Sequence, residues 1–270
     1  MSCHRLCGAP VLDAVGTLKG SALMRYVLFA VFLVAACATV SAADSYTDAV
    51  SAVHRDDYDL AARLFRPLAE QGHAGAQSFL GVLYANGQGV PRSHEEAAQW
   101  YRRAAQQGDA AAQFQLGVLY ANGQGMPQNY ELAEQWYRRA ADQGDAVAQF
   151  NLGVRYANGQ GVPQNDELAG RWYRRAAQQG HARAQSNLGV LYANGQGVPK
   201  DVMRAYMWLT IAVAGSRGDD DGKPAIANHT IVASDLTAAQ IEQAQEMARH
   251  CQDTQFLQCE PQQNVPGVGP

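Results

Sequence analysis

Between residues 74 and 216 the apolar positions fall into short stripes that return every 36 residues. Leu80, Leu116, Leu152 and Leu188 share one register; Trp100, Trp136, Trp172 and Trp208 share another. Within one unit Ala76, Leu80, Leu83 and Tyr84 stand at helical spacing, which predicts a first helix from about Ala76 to Tyr84. Ala97, Trp100, Tyr101, Ala104 and Ala105 give a wider stripe and predict a second helix from about Glu95 to Gln106. One such hairpin cannot bury both of its faces. Stacked copies can, so the pattern predicts an array.

The polar and glycine positions punctuate these stripes. Asp109 and Asp145 stand where a first helix begins, and their carboxylates suit an N-cap; His73 and His181 hold the same place in the flanking units. Gly108, Gly144 and Gly180 follow the second helix, where a left-handed residue favours termination. The connection Asn86-Gly87-Gln88-Gly89-Val90-Pro91 is a turn, since Asn and Gly accept positive φ and Pro stops the helix. Gly81, Gly117, Gly153 and Gly189 lie inside the first helix, where each costs about 1 kcal/mol against alanine. Four repetitions imply a neighbouring helix too close for a side chain.

The flanks predict caps. Gly72 lies 36 residues before Gly108, so residues 43–73 read as a capping helix pair whose first helix is degenerate. Residues 217–270 read as a loop that runs to Pro224, capping helices and a frayed tail. Thr237 is the expected N-cap of the last helix, which turns Ala244, Met247 and Ala248 inward. The array itself occupies 74–216. Residues 1–42 read as a leader: Arg25, an apolar run from Tyr26 to Ala38, then Val40-Ser41-Ala42, the order of a secretory signal cleaved after Ala42. Met24 is the expected start, and the run is too short for a lasting membrane span. A lipoprotein anchored at Cys37 is the alternative.

Removal of that leader leaves 18 basic and 24 acidic residues, a net charge of −6, which makes nucleic acid a poor partner. Only Cys251 and Cys259 then remain. An even number in a chain sent to an oxidising compartment predicts a disulfide between them. No metal site and no cofactor are expected.

The order Gly75-Ala76-Gln77-Ser78-Phe79-Leu80-Gly81-Val82-Leu83-Tyr84, then Gly87-Gln88-Gly89-Val90, Ala97, Trp100-Tyr101-Arg102-Arg103-Ala104-Ala105 and Gly108, resembles the Sel1-like repeat family. The resemblance implies an all-α fold: a right-handed α-solenoid of stacked antiparallel helix pairs, with capping helices at both ends. It further implies a scaffold that binds a protein or peptide, periplasmic or secreted here, possible regulation of signalling or cell-wall enzymes, and no catalysis. The alternative it leaves open is a hydrolase acting on β-lactams or cell-wall peptides. The family members linked to that activity carry paired cysteines in each repeat, and this array has none.

Two sets of residues are candidates for partner binding. Phe79, Gln115, Asn151 and Asn187 share a first-helix register that varies while the frame does not, and Arg155 replaces the leucine of Leu83, Leu119 and Leu191. Such differences on a repeat surface are what a partner can read. Arg103, Arg139 and Arg175 recur on successive second helices, beside Arg102, Arg138 and Arg174. They form either a cationic ladder for carboxylates or phosphates, or a solvated face with stems over Trp and Tyr rings.

Overall fold

The computed structural model describes residues 45–216 and 222–259, and these are helical with no strand among them. The leader, the cleavage after Ala42, Cys37 and the frayed tail lie outside the described residues. Helices α1 (45–54) and α2 (Tyr58–Glu70) open the stack. Three pairs follow: α3 (Ala74–Asn86) with α4 (His94–Gln106), α5 (Ala110–Asn122) with α6 (Tyr130–Asp142), and α7 (Ala146–Asn158) with α8 (Asp166–Ala177). A last pair, α9 (Ala182–Asn194) and α10 (Val202–Gly215), is covered by α11 (Lys223–Ala233) and α12 (Ala238–Asp253). From α2 to α11 each helix packs on the next in sequence, the pattern of an α-solenoid, and α12 returns to pack on α10.

The caps set the helix ends. Asp109 and Asp145 accept the backbone N–H of Ala112 and Ala148, both at 2.7 Å, and the Nδ1 atoms of His73 and His181 do the same for Ala76 and Ala184 at 3.2 Å. The first helices therefore begin directly after these residues. They run two residues longer at each end than their apolar stripe, and Gly87, in the left-handed region at φ +70°, stops the first of them. Second helices close with paired bonds from Gly108 N–H to Ala105 and from Asp109 N–H to Ala104. The fourth unit ends differently. Its counterpart of Gly108 is Ser216, which leaves α10 in an extended conformation (ψ 136°).

The helix-internal glycines make the close contacts their position implies. A Cβ on Gly81, Gly117 or Gly153 would stand 2.5–2.8 Å from the ring of Tyr101, Tyr137 or Tyr173. The loop glycines have a second task. A Cβ on Gly89 or Gly125 would reach to within 2.1–2.4 Å of backbone atoms of Tyr58 or His94, so each loop lies directly on the start of the preceding second helix.

Residues 223–233 are helical, so Pro224 belongs to the first turn of α11 and not to a loop. Thr237 caps α12 in a capping box with Gln240, and Ala244 and Ala248 are buried. Cys251 and Cys259 are joined as a disulfide that ties the end of α12 to the segment after it.

Candidate functional site

The two arginines of each pair have different surroundings. Arg66, Arg102, Arg138 and Arg174 each donate to the tyrosine hydroxyl 18 residues later: Tyr84 (2.8 Å), Tyr120 (3.5 Å), Tyr156 (2.5 Å) and Tyr192 (2.9 Å). These bonds join a second helix to the first helix of the next pair, so this row clamps the stack. Arg138 also binds Glu134 on its own helix. Arg66 shares this register, one repeat before the pairs that the sequence shows.

Arg103, Arg139 and Arg175 are exposed and lie over indole rings of their own helices. Their guanidinium carbons stand 4.6, 4.4 and 4.8 Å from the ring centres of Trp100, Trp136 and Trp172. Among the described residues none of the three donates to an acceptor of the chain. Stacking fixes a guanidinium without engaging its N–H edge.

A buried glutamine relay is a third periodic feature, and one that apolar periodicity does not show. Gln77, Gln113, Gln149 and Gln185 donate to the carbonyls of Ala69, Ala105, Ala141 and Ala177 at 2.9–3.1 Å. Those carbonyls belong to the last turns of the preceding second helices, where intrahelical donors run out. Gln107, Gln143 and Gln179 in turn donate to the side-chain oxygens of Gln77, Gln113 and Gln149 at 2.7–2.8 Å. The signal was the recurrence of glutamine at 36 residues on an otherwise apolar stripe.

The first-helix candidates separate. Gln115 is half-buried. Asn151 is half-buried too, and its Nδ2 donates to Val147 O at 2.8 Å. Asn187 is half-buried and sits beside Tyr173, whose phenol burial pushes to a higher pKa. Phe79 packs into the N-terminal core, its ring stacked on Phe65 at 5.0 Å. Arg155 corrects the expectation of a readable surface charge, since only 6% of it is exposed. Its guanidinium lies 5.2 and 5.1 Å from the rings of Tyr130 and Tyr137, and Nη1 donates to Gln160 O at 3.1 Å. The long side chain can reach that carbonyl and those rings, so the position belongs to the packing. Beside it the loop at 159–163, which touches Tyr130 through Gly161, and the start of α6 line an open groove of about 610 Å³.

One hydroxyl–imidazole pair occurs in the C-terminal cap, Thr210 Oγ1 with His229 Nε2 at 3.1 Å. Thr210 already donates its proton to Tyr206 O at 2.8 Å, so the hydroxyl can only accept from the ring. Desolvation lowers the His229 pKa, which keeps the ring neutral. The pair is a helix-packing contact and not an activated nucleophile. Among the described residues no group of three or more His, Cys, Asp or Glu converges as a metal set, and no helix is long and apolar enough to cross a membrane.

The Sel1 repeat model matches residues 52–73, 74–109, 110–145, 146–181 and 182–215, more than half of the chain. A Sel1 repeat protein of known structure from Oxalobacter formigenes is 33% identical, over 72% of this chain and 79% of its own, with a TM-score of 0.59. The protective antigen c5321 of uropathogenic Escherichia coli, described as displaying an SLR fold, is 28% identical over 79% of this chain and 54% of its own, with a TM-score of 0.49. A sel1 repeat protein from Klebsiella pneumoniae subsp. pneumoniae is 21% identical over 71% and 93%, with a TM-score of 0.46. No curated protein sequence matches the chain.

Proposed function

Because the chain belongs to the Sel1 repeat family, whose repeats generally serve as protein-interaction scaffolds without catalysis of their own, we propose that it is an exported scaffold that grips a protein partner in the cell envelope. One observation carries this reading. The glutamine relay, the Arg–Tyr clamp and the helix-internal glycines hold the stack, while the register that reads Phe79, Gln115, Asn151 and Asn187 changes along it, and its last three members are half-exposed. Variation on a fixed frame is how repeat arrays distinguish partners. Export rests on the order of residues 24–42: one basic residue, an apolar run and a small-residue cleavage site after Ala42. Proteins that signal across the envelope or remodel the cell wall are the partner classes this location offers.

Affinity capture from an envelope extract tests the reading. The wild-type array is expected to retain a partner that the combined variant Gln115→Ala, Asn151→Ala, Asn187→Ala holds at least tenfold less. Equal retention by the variant would reject this surface, and an empty wild-type capture would reject the scaffold. Fractionation with N-terminal sequencing tests export; the expected mature chain begins at Ala43.

A further inference from the structure

The row of exposed arginines has a defined length. In its register the preceding residue is Pro67 and the following one is Ile211, so the row has three steps: Arg103, Arg139 and Arg175. Each guanidinium is held on an indole ring of its own helix. A planar fork held in this way has lost side-chain freedom before a ligand arrives, and its N–H groups meet no acceptor of the chain among the described residues.

Most acids on the same helices lie at the opposite end. Glu95 and Glu96 occupy the first turn of α4, Glu131 that of α6, and Asp166 and Glu167 that of α8. Eight residues separate Glu95 from Arg103, about 12 Å along a helix, which exceeds a screening length of about 8 Å at physiological salt. Nearer acids are otherwise engaged or unpaired with the row. Asp109 and Asp145 cap helices, Glu134 holds Arg138, and Asp142, three residues after Arg139, forms no ion pair with it among the described residues. A chain with a net charge of −4 thus carries a row of uncompensated cations.

We propose that Arg103, Arg139 and Arg175, carried on Trp100, Trp136 and Trp172, form a three-step ledge for an extended acidic segment of a protein partner, with one carboxylate on each step. The inference rests on the scaffold reading and names the chemistry of the partner. The steps stand on α4, α6 and α8, which pack mainly through α5 and α7 rather than on one another, so successive steps are separated by at least the roughly 8–10 Å of a packed helix pair. An extended chain rises about 3.3 Å per residue, so a carboxylate at every third residue offers the ledge spacings of about 10 Å and about 20 Å. Each carboxylate then accepts from a guanidinium edge in a charge-assisted pair.

The test uses a fluorescein-labelled peptide of four Glu-Gly-Ser units, with Gln-Gly-Ser as the uncharged control, read by anisotropy and by the emission of the tryptophans under the guanidiniums. Wild type is expected to bind the acidic peptide, more weakly as salt rises, and to ignore the control. Each single Arg→Gln change is expected to weaken binding about threefold to fivefold, and R103Q/R139Q/R175Q roughly 30- to 100-fold, at the charge-pair strengths usual on surfaces. The triple Arg→Lys variant keeps the charge but loses the stacked fork, and is expected to weaken binding about tenfold. Circular dichroism with urea midpoints within error of wild type shows that the variants remain folded.

Three results would overturn the proposal: no binding by wild type, binding undiminished in R103Q/R139Q/R175Q, or a Lys variant equal to wild type. A twelve-residue oligothymidylate that binds more tightly than the peptide would also overturn it, in favour of a phosphate backbone. If the acidic peptide fails while the envelope capture through Gln115, Asn151 and Asn187 succeeds, the scaffold stands and only the acidic ledge falls. If both fail, both readings fall.

Discussion

The three inner pairs and the last pair are built on one frame, yet they place the same tryptophan register in different surroundings. Trp100 and Trp172 are 7% exposed and Trp136 is half-buried, each covered on one face by an arginine that solvent reaches. Trp208 is fully buried, because α11 and α12 close over α10. The neighbouring contacts change with it. The helix-internal glycines of the inner pairs face tyrosine rings, whereas Gly189 faces Leu209, and Ile211 stands where the inner pairs carry the exposed arginine. An inner pair has a neighbour on both sides and can leave a cation–π edge in water. The end pair has no further repeat to cover it, so its register turns apolar and a cap supplies the missing wall.

The comparison breaks most sharply at its tryptophans. Trp208→Ala should lower stability by about 3–5 kcal/mol, the range for an aromatic removed from a packed core. Trp136→Ala should lower it by about 1–2 kcal/mol, since less apolar surface and one cation–π contact are lost. Urea denaturation of both variants beside wild type measures the difference; equal losses would mean that the cap does not tighten the end of the stack.

The next largest effect is expected at a loop glycine of the inner frame. Gly125 has φ +70°, and an added Cβ would lie 2.4 Å from the backbone carbonyl carbon of His94. A backbone neighbour cannot swing aside as a ring can. Gly125→Ala should therefore cost about 3 kcal/mol, combining left-handed strain with forced separation of two pairs. Gly108→Ala has φ +94° but nothing within 4 Å, so it should show the strain alone, about 1–2 kcal/mol. A urea midpoint for Gly125→Ala no lower than that for Gly108→Ala would reject the loop contact as a support of the stack.

The frame was legible because its signals are local. Asp109, Gly108 and the Asn-Gly turn act within a few residues of themselves, and the apolar stripes need only one helix to be seen. Gly81 showed more: a cost repeated four times pointed to a close neighbour, and Tyr101 is that neighbour. What sequence could not resolve was which of two adjacent identical side chains does what. Arg102 and Arg103 are the same residue one position apart, and only the packed stack sends one to a tyrosine of the next pair and the other over its own tryptophan. Arg155 failed for the same reason. A charge in a leucine register reads as a surface feature until Tyr130, Tyr137 and the Gln160 carbonyl are seen around it. Pro224 misled in the opposite direction, since a proline in a polar stretch marks a loop as readily as a helix start.

The cap of the end region can be loosened on its own. The Cys251–Cys259 disulfide closes a loop of eight residues after α12, and cross-links of this length contribute about 2–3 kcal/mol in the chain-entropy account. Reduction, or the paired change Cys251→Ser with Cys259→Ser, should lower the stability of the cap by that amount and expose the neighbourhood of Trp208. The inner pairs should keep their protection in hydrogen exchange, with faster exchange confined to α11 and α12 and the face of α10 they cover. Loss of protection spread evenly along the stack would show that end and middle unfold as one unit.

The smallest expected effect lies at the seam between the two regions, where the frame changes its cap. Asp109 and Asp145 cap α5 and α7, while His73 caps α3 at the start of the array and His181 caps α9, the first helix of the end pair. Its Nδ1 accepts the Ala184 N–H, and its ring stacks on Phe150 at 4.6 Å, so the bond requires a neutral imidazole. Burial is the main cause that lowers its pKa from the ordinary 6.5; Arg183 adds to the lowering, and Asp145 together with a backbone hydrogen bond opposes it. A depressed folded-state pKa means that the unfolded chain takes up the proton first. The cap's contribution is then complete above the unfolded value near 6.5 and fades as pH falls below it toward the folded value. His181→Asp installs the carboxylate cap of α5 and α7 and removes the imidazole that takes up the proton. Between pH 7.5 and 5.0 wild type should lose about 1 kcal/mol more than the variant, the worth of one N-cap. Urea midpoints of both proteins at the two pH values measure that difference, in which the acids common to both cancel. Parallel losses would mean that His181 does not serve the seam as its aspartate counterparts serve the inner pairs.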